Sequence, residues 1–248
     1  MAKNSETGHA KNVANFESLI SVITGFGAVY NPSRQSIVIA ALSSLLQNAK
    51  NALSLVNSTS GRNSIAIAAR TDGFKPLSSL ATRILNALSS SGSTKQINDT
   101  ARSLVRKIQG KRATPKLTDE QKAALKTEGI EKKEISSSQM SFDNRLENLD
   151  KLIQLLSEVP QYAPNETDLQ VSTLTNYYNN LKETNTAVLA TENQISNARL
   201  SRNEILYKPD SGLVDTAAAA KMYVKSLFGA TSPQYKQVSG LAFKSIPE

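Results

Sequence analysis

Cysteine is absent from all 248 residues. That excludes disulfides and thiolate metal centres and leaves the redox compartment unread. There is no tryptophan, and aromatics make up only 5% of the chain, which is thin for a broad globular core. His9 is the single histidine and sits in a polar amino-terminal stretch. Most zinc sites and most imidazole acid–base pairs are therefore out of reach. The most apolar run, 37–46 (IVIAALSSLL), is too short to span a bilayer and gives way to Gln47, Asn48 and Lys50. Residues 1–10 (MAKNSETGHA) show no apolar core of a secretory signal. β-branched and aromatic residues rarely alternate with period two, so no substantial sheet is expected. These absences point to a soluble, cytoplasmic, all-α chain rich in Ala and Leu, whose small side chains suit close helix packing.

What is present is one sequence idea written twice. Tyr30-Asn31-Pro32 opens a segment that closes at Phe74-Lys75-Pro76, and Tyr162-Ala163-Pro164 opens another that closes at Tyr207-Lys208-Pro209. The two segments hold 47 and 48 residues, end residues included. In the second, Leu174, Leu181, Val188 and Ile195 recur every seven residues. A shift of 132 positions lays these on Leu42, Ala49, Val56 and Asn63, and lays Arg202 on Arg70. Such a duplication predicts the same helical unit in both copies.

The first copy is expected to open with a helix from about Asn12 to Val29, with Phe16, Leu19, Ile20, Ile23 and Phe26 on one face. Gly25 and Gly27 weaken its last turn. Pro32 breaks the chain and Ser33 is available as an N-cap. A long helix then runs from about Arg34 towards Ala69 along Val38, Leu42, Leu45, Ala49, Ala52 and Val56, with a potential interruption at 58–61. Shorter helices follow at 77–88 and 95–108. The second copy repeats the order: a helix at 142–159, a long one at 166–206 free of Gly and Pro, a helix ending at Phe228, and a last short one from Pro233 through Val238 and Leu241. A helix of about 40 residues is roughly 60 Å long, so shorter helices must line it end to end. Between the copies, 110–135 is a charged linker in which Thr118-Asp119-Glu120-Gln121 fits a capping box for a short exposed helix ended by Gly129. The expected organisation is a flexible tail 1–11, a first helical repeat 12–109, the linker 110–135 and a second repeat 136–248. Together they would form an elongated antiparallel bundle of two pseudo-symmetric repeats.

The strings ISSSQMSFDNRLENL (135–149), ARSLVRKIQGKR (101–112) and FGATSPQYKQVSGL (228–241) resemble segments of a family of helical proteins from Bacteroidota. The resemblance extends over most of the chain after about Phe16. It implies a two-repeat helical build and supplies no activity, ligand or site residue.

Charge is concentrated between Lys95 and Lys116. Lys95, Arg102, Arg106, Lys107, Lys111, Arg112 and Lys116 stand against Asp99 alone, a net +6 of the chain's +8. A face of this kind neutralises phosphates and would make nucleic-acid binding salt-dependent. Against that, no groove-reading motif is visible and no aromatic lies between Phe74 and Phe142 for base stacking. The plainer reading is a solvated helix end. Asp143, Glu147 and Asp150 share a helix face, but Arg145 and Lys151 stand among them and no Glu-x-x-His pair accompanies them, so a solvated face is expected. Asp168 and Asp119-Glu120 follow helix starts, where negative charge offsets the helix dipole. Ser136-Ser137-Ser138 reads as an N-cap cluster. Tyr177 extends the apolar seam while Tyr178 faces a flank. Tyr30, Tyr162 and Tyr207 read as staples at helix junctions. No phosphate loop, nucleophile elbow or dinucleotide fingerprint occurs.

The expectation is a non-catalytic structural or protein-interaction module that self-assembles, with no cofactor and no metal, and with another protein or a second copy as partner. A nucleic-acid-associated protein using the basic face is the alternative. A membrane-active helical protein, prompted by the long helices and the 37–46 run, is a more distant one, with no stable insertion expected.

Overall fold

A computed structural model describes residues 6–111 and 140–245 of the chain, and among them every regular element is helical. The helices are α1 (Glu6–Gly25), α2 (Ile39–Phe74), α3 (Leu77–Ser90), α4 (Lys95–Gln109), α5 (Phe142–Ser157), α6 (Val171–Tyr207), α7 (Leu213–Phe228) and α8 (Pro233–Ser239). Short 3₁₀ turns at Gln35–Ile37 and Thr167–Leu169 lead into the two long helices. No helix of the described residues is long and apolar enough to cross a membrane. From residue 112 the charged linker, with Arg112, Lys116, the 118–121 capping box and Ser136–Ser138, lies outside the described residues.

The helix boundaries follow local chemistry. Thr94, Ser141 and Ser232 cap α4, α5 and α8, their hydroxyls accepting from the main-chain N–H three residues on. Ser33 caps nothing: the 3₁₀ turn starts after Arg34 without a side-chain cap, and α2 begins at Ile39. Residues 58–61 do not interrupt α2. Ser58 and Thr59 return their hydroxyls to the Leu55 carbonyl, and Gly61 meets open space. α1 starts at Glu6 rather than near Asn12, which brings His9 into the helix at 2% exposure.

The chain divides into two compact units, one of Met1–Ser64 with Thr191–Glu248, the other of Ile65–Ala190. The division falls within α2 and within α6, so each unit takes residues from both long helices. In the first unit, Phe16, Leu19 and Ile23 of α1 meet Leu42 and Ala49 of α2, Leu206 of α6, the Leu213, Ala217, Ala220 and Val224 stripe of α7, and Val238 of α8. In the second, Leu77, Ile84 and Leu88 of α3 meet Ala101, Val105 and Ile108 of α4, Leu149, Leu152 and Leu156 of α5, and Leu174 and Leu181 of α6. Each fully buried Leu or Ile contributes on the order of 2 kcal/mol of transfer free energy. Small residues set the spacing. At Gly73 a Cβ would sit 3.2 Å from Leu181 Cδ2, and the Gly73 carbonyl accepts the Tyr177 hydroxyl at 2.7 Å.

Candidate interaction surfaces

The basic face lies on α4. Burial of Ala101, Val105 and Ile108 against the second unit's core turns Lys95, Arg102 and Lys107 outward, with Arg106 partly buried. Gly110 ends the helix at φ 68°, and Lys111 N and Gly110 N donate to the Arg106 and Lys107 carbonyls at 2.8 and 3.2 Å. This double bond pattern directs the exposed Lys111 away from the helix. The face is not bare positive charge. Arg102 Nη1 pairs with Asp99 Oδ1 at 3.1 Å, and Glu147 of α5 is held below the usual carboxylate range by its hydrogen bond to Lys151, with Lys107 adding to the effect. Lys95, Gln96, Asp99, Thr100 and Ser103 line an open strip of α4 without a second wall.

A better-formed groove, of about 600 Å³, lies in the first unit. Ser60 and Asn63 of α2 form one side; Glu192, Ser196, Arg199 and Asn203 of α6 form the other. Asn63 Oδ1 accepts from Thr191 Oγ1 at 2.9 Å. Arg202, 6% exposed, donates from Nε and Nη2 to Asn203 Oδ1 at 3.1 and 2.8 Å. Ile195 is buried in the wall while Leu200 stands 58% exposed at the rim. Nothing in the sequence marks this groove, because polar residues on a long helix look like solvated positions until a second helix is seen beside them.

The second unit holds a cluster of cations on aromatic rings. Phe74 and Phe142 meet edge to face at 4.8 Å. The Arg70 guanidinium lies 4.1 Å from the Phe142 centroid, and that of Arg145 lies 5.3 Å from Phe74. Arg70 Nη1 donates to Asn185 Oδ1 at 3.1 Å, and Asn185 Nδ2 donates to Asp143 Oδ1 at 2.7 Å. Arg145 Nη2 donates to the Phe74 carbonyl at 3.3 Å. The Nε atoms of both arginines are buried without an acceptor among the described residues. Ring faces supply the compensating electrostatics, and burial lowers the pKa of Arg145. Asp143 is thus a link in a structural network and Glu147 an ion-pair partner of Lys151 at 2.5 Å. Asp168 lies in the 3₁₀ turn before α6, as expected of a helix-start charge, and also pairs with Arg83 of α3.

The single histidine is also structural in setting: His9 Nδ1 lies 2.5 Å from the Tyr207 hydroxyl. Both Tyr177 and Tyr178 pack, partly buried, on the second unit's core. No group of three or more His, Cys, Asp or Glu among the described residues is placed to hold a metal ion. Comparison with family models, with curated proteins and with solved structures returns no match for this chain.

Proposed function

We propose that the chain is a non-catalytic, cytoplasmic helical module that works by protein interaction and associates with further copies of itself. The observation that carries this reading is the groove of the first unit. An exposed apolar side chain, Leu200, stands among hydroxyl, amide and guanidinium groups of Ser60, Asn63, Ser196, Arg199 and Asn203. An exposed apolar side chain at the rim of a groove lined by hydrogen-bonding groups, Arg among them, suits a protein contact. Light scattering on the purified chain tests it: a mass above that of one chain is expected, and Leu200→Glu is expected to lower it. A monomer at every concentration would remove the self-association half of the reading.

We further infer that the module arose by duplication into two pseudo-symmetric, antiparallel helical repeats, as the Bacteroidota resemblance also implies. Support comes from buried positions that recur in register. Val13, Phe16, Leu19, Ile20 and Ile23 correspond to Leu146, Leu149, Leu152, Ile153 and Leu156, and Leu77, Ala81, Ile84 and Leu88 to Leu213, Ala217, Ala220 and Val224. In this reading each compact unit joins the opening of one copy to the close of the other.

The exposure of Lys95, Arg102, Lys107 and Lys111 favours a second reading, an anionic nucleic-acid partner on α4. A gel shift at low salt that is lost in Arg102→Glu, Arg106→Glu, Lys107→Glu would support it; an unaltered chain that shifts nothing removes it.

A further inference from the structure

Beyond Ser239 the chain leaves helical conformation and lies along α1 and α7 of the first unit. Its main chain is held by side chains. Asn12 donates from Nδ2 to the Lys244 carbonyl at 2.8 Å and accepts from Lys244 N at 3.0 Å. Asn15 Nδ2 donates to the Ala242 carbonyl at 2.6 Å. From the other side Lys221 Nζ donates to the Ser239 and Leu241 carbonyls at 3.0 and 2.9 Å. Leu241 and Phe243 add apolar contacts with the first unit's core, and Lys221 Nζ stands 5.9 Å from the Phe243 ring.

This is the chemistry of a peptide-binding site. The carboxamide of Asn12 offers a donor and an acceptor to one residue's carbonyl and N–H, as a neighbouring strand would. Asn12 and Asn15 are one helical turn apart on α1 and capture carbonyls two residues apart, the repeat of an extended chain. The hydrogen bonds read backbone, and Leu241 and Phe243 supply the selectivity, the division of labour seen when an extended peptide is bound through its main chain. Asn12 and Asn15 are 2% and 8% exposed with the segment in place, so its departure uncovers buried amides that demand an equivalent partner.

We propose that this groove between α1 and α7 is a peptide-acceptor site that exchanges residues 241–245 with the same segment of a second copy of the chain. Every contact made within one chain is available unchanged between two, which makes exchange of an identical element an inexpensive route to association. Gly240 is the only residue joining the segment to α8. The net charge of +8 opposes the approach of two copies, so exchange increases as salt screens it. The proposal deepens the self-association reading above, while resting on a different surface from Leu200.

The test uses a chain ending at Gly240 and a fluorescent synthetic peptide of residues 239–248. Saturable binding is expected. It should weaken at least tenfold when Asn12→Leu and Asn15→Leu are introduced together, or when the peptide carries Phe243→Ala. In parallel, two full-length Leu200→Glu samples bearing donor and acceptor dyes are mixed, so that association through the Leu200 surface makes no contribution. Energy transfer should rise with time and with salt and should disappear in full-length chains carrying the two Asn substitutions. A shortened chain that keeps its helical circular dichroism yet ignores the peptide overturns the site. Peptide binding without energy transfer overturns the second copy as its occupant. If the shortened chain loses its helicity, the mixing experiment decides alone. Peptide binding by a monomer leaves the acceptor site intact even where the Leu200 reading fails.

Discussion

The hydroxyl of Tyr162 donates to the carbonyl of Leu169, seven residues ahead, at 2.8 Å. Tyr30 makes the same bond to Ile37 at the same distance. Each ring is buried at the corner before a long helix, and each bond closes the loop that leads through a 3₁₀ turn into that helix. Replacing either Tyr by Phe keeps the ring and removes the donor. A loss of about 1 kcal/mol is expected for each, because a buried carbonyl is left without its partner. Urea denaturation should show a lower midpoint at constant slope; an unmoved midpoint in both variants would show that the corners are held by ring packing alone.

Burial pushes the phenols of Tyr30, Tyr162 and Tyr177 up to about 12, and raises that of Tyr207 as well. Their folded values lie above the ordinary 10.0. The stability they contribute is therefore complete below pH 10 and is lost as pH rises through about 12. Of the seven tyrosines, these four should ionise late. The phenolate absorbance of these four should rise together with the loss of helical circular dichroism.

The Arg83–Asp168 ion pair acts at the other end of the pH scale. Its hydrogen bond holds Asp168 below the ordinary 3.8. A depressed carboxylate contributes stability above its unfolded value and loses it as pH falls through the folded one. Arg83→Ala should move the Asp168 carboxyl back towards 3.8, measured by NMR titration. Both side chains are half exposed, so little change in stability at neutral pH is expected.

Phe74 is the anchor of the cation–aromatic cluster and is 2% exposed. Phe74→Ala is expected to cost about 3–5 kcal/mol, since it opens a cavity and removes the ring under Arg145. Arg145→Met, which keeps the aliphatic stem, should cost about 1 kcal/mol or less. Calorimetric melting of the two variants separates the ring's packing from the cation's contribution. Equal losses would mean that the guanidinium matters as much as the ring.

Gly110 combines φ 68° with a Cβ direction aimed at Met140, whose Sδ would lie 2.3 Å away. Gly110→Ala should destabilise the end of α4 by about 1 kcal/mol. Gly110→Asn should retain more of the turn but meet the same Met140 contact. Hydrogen exchange at the Gly110 and Lys111 amides would report the fraying.

Much of the helical build was legible because apolar residues recur at helical spacing and caps are local. The heptad Leu174, Leu181, Val188 and Ile195 is buried, and α3, α4 and α7 begin or end within two residues of the expected positions. Other features were hidden. His9 looked like a tail residue and Asn12 like an ordinary helix start, because their partners, Tyr207 and Lys244, lie 198 and 232 positions away. The Arg83 partner of Asp168 was hidden because nothing near that helix-start charge in sequence announces it. The polar groove of the first unit left no trace, since Ser60, Asn63, Ser196 and Asn203 carry no pattern apart from their meeting. The acceptor amides Asn12 and Asn15 were equally unmarked.

By itself the amino-acid order determined helix, turn and phase: 3.6-residue periodicity, capping hydroxyls, and Gly and Pro at the breaks are short-range quantities. It also determined what chemistry is unavailable, through its missing cysteines and lone histidine. Tertiary structure alone decided where the compact units divide and which polar groups face each other. An uninterrupted helix has the same local energetics on both sides of Ser64 or Ala190, so only the burial of apolar stripes from distant segments can assign each part to its core.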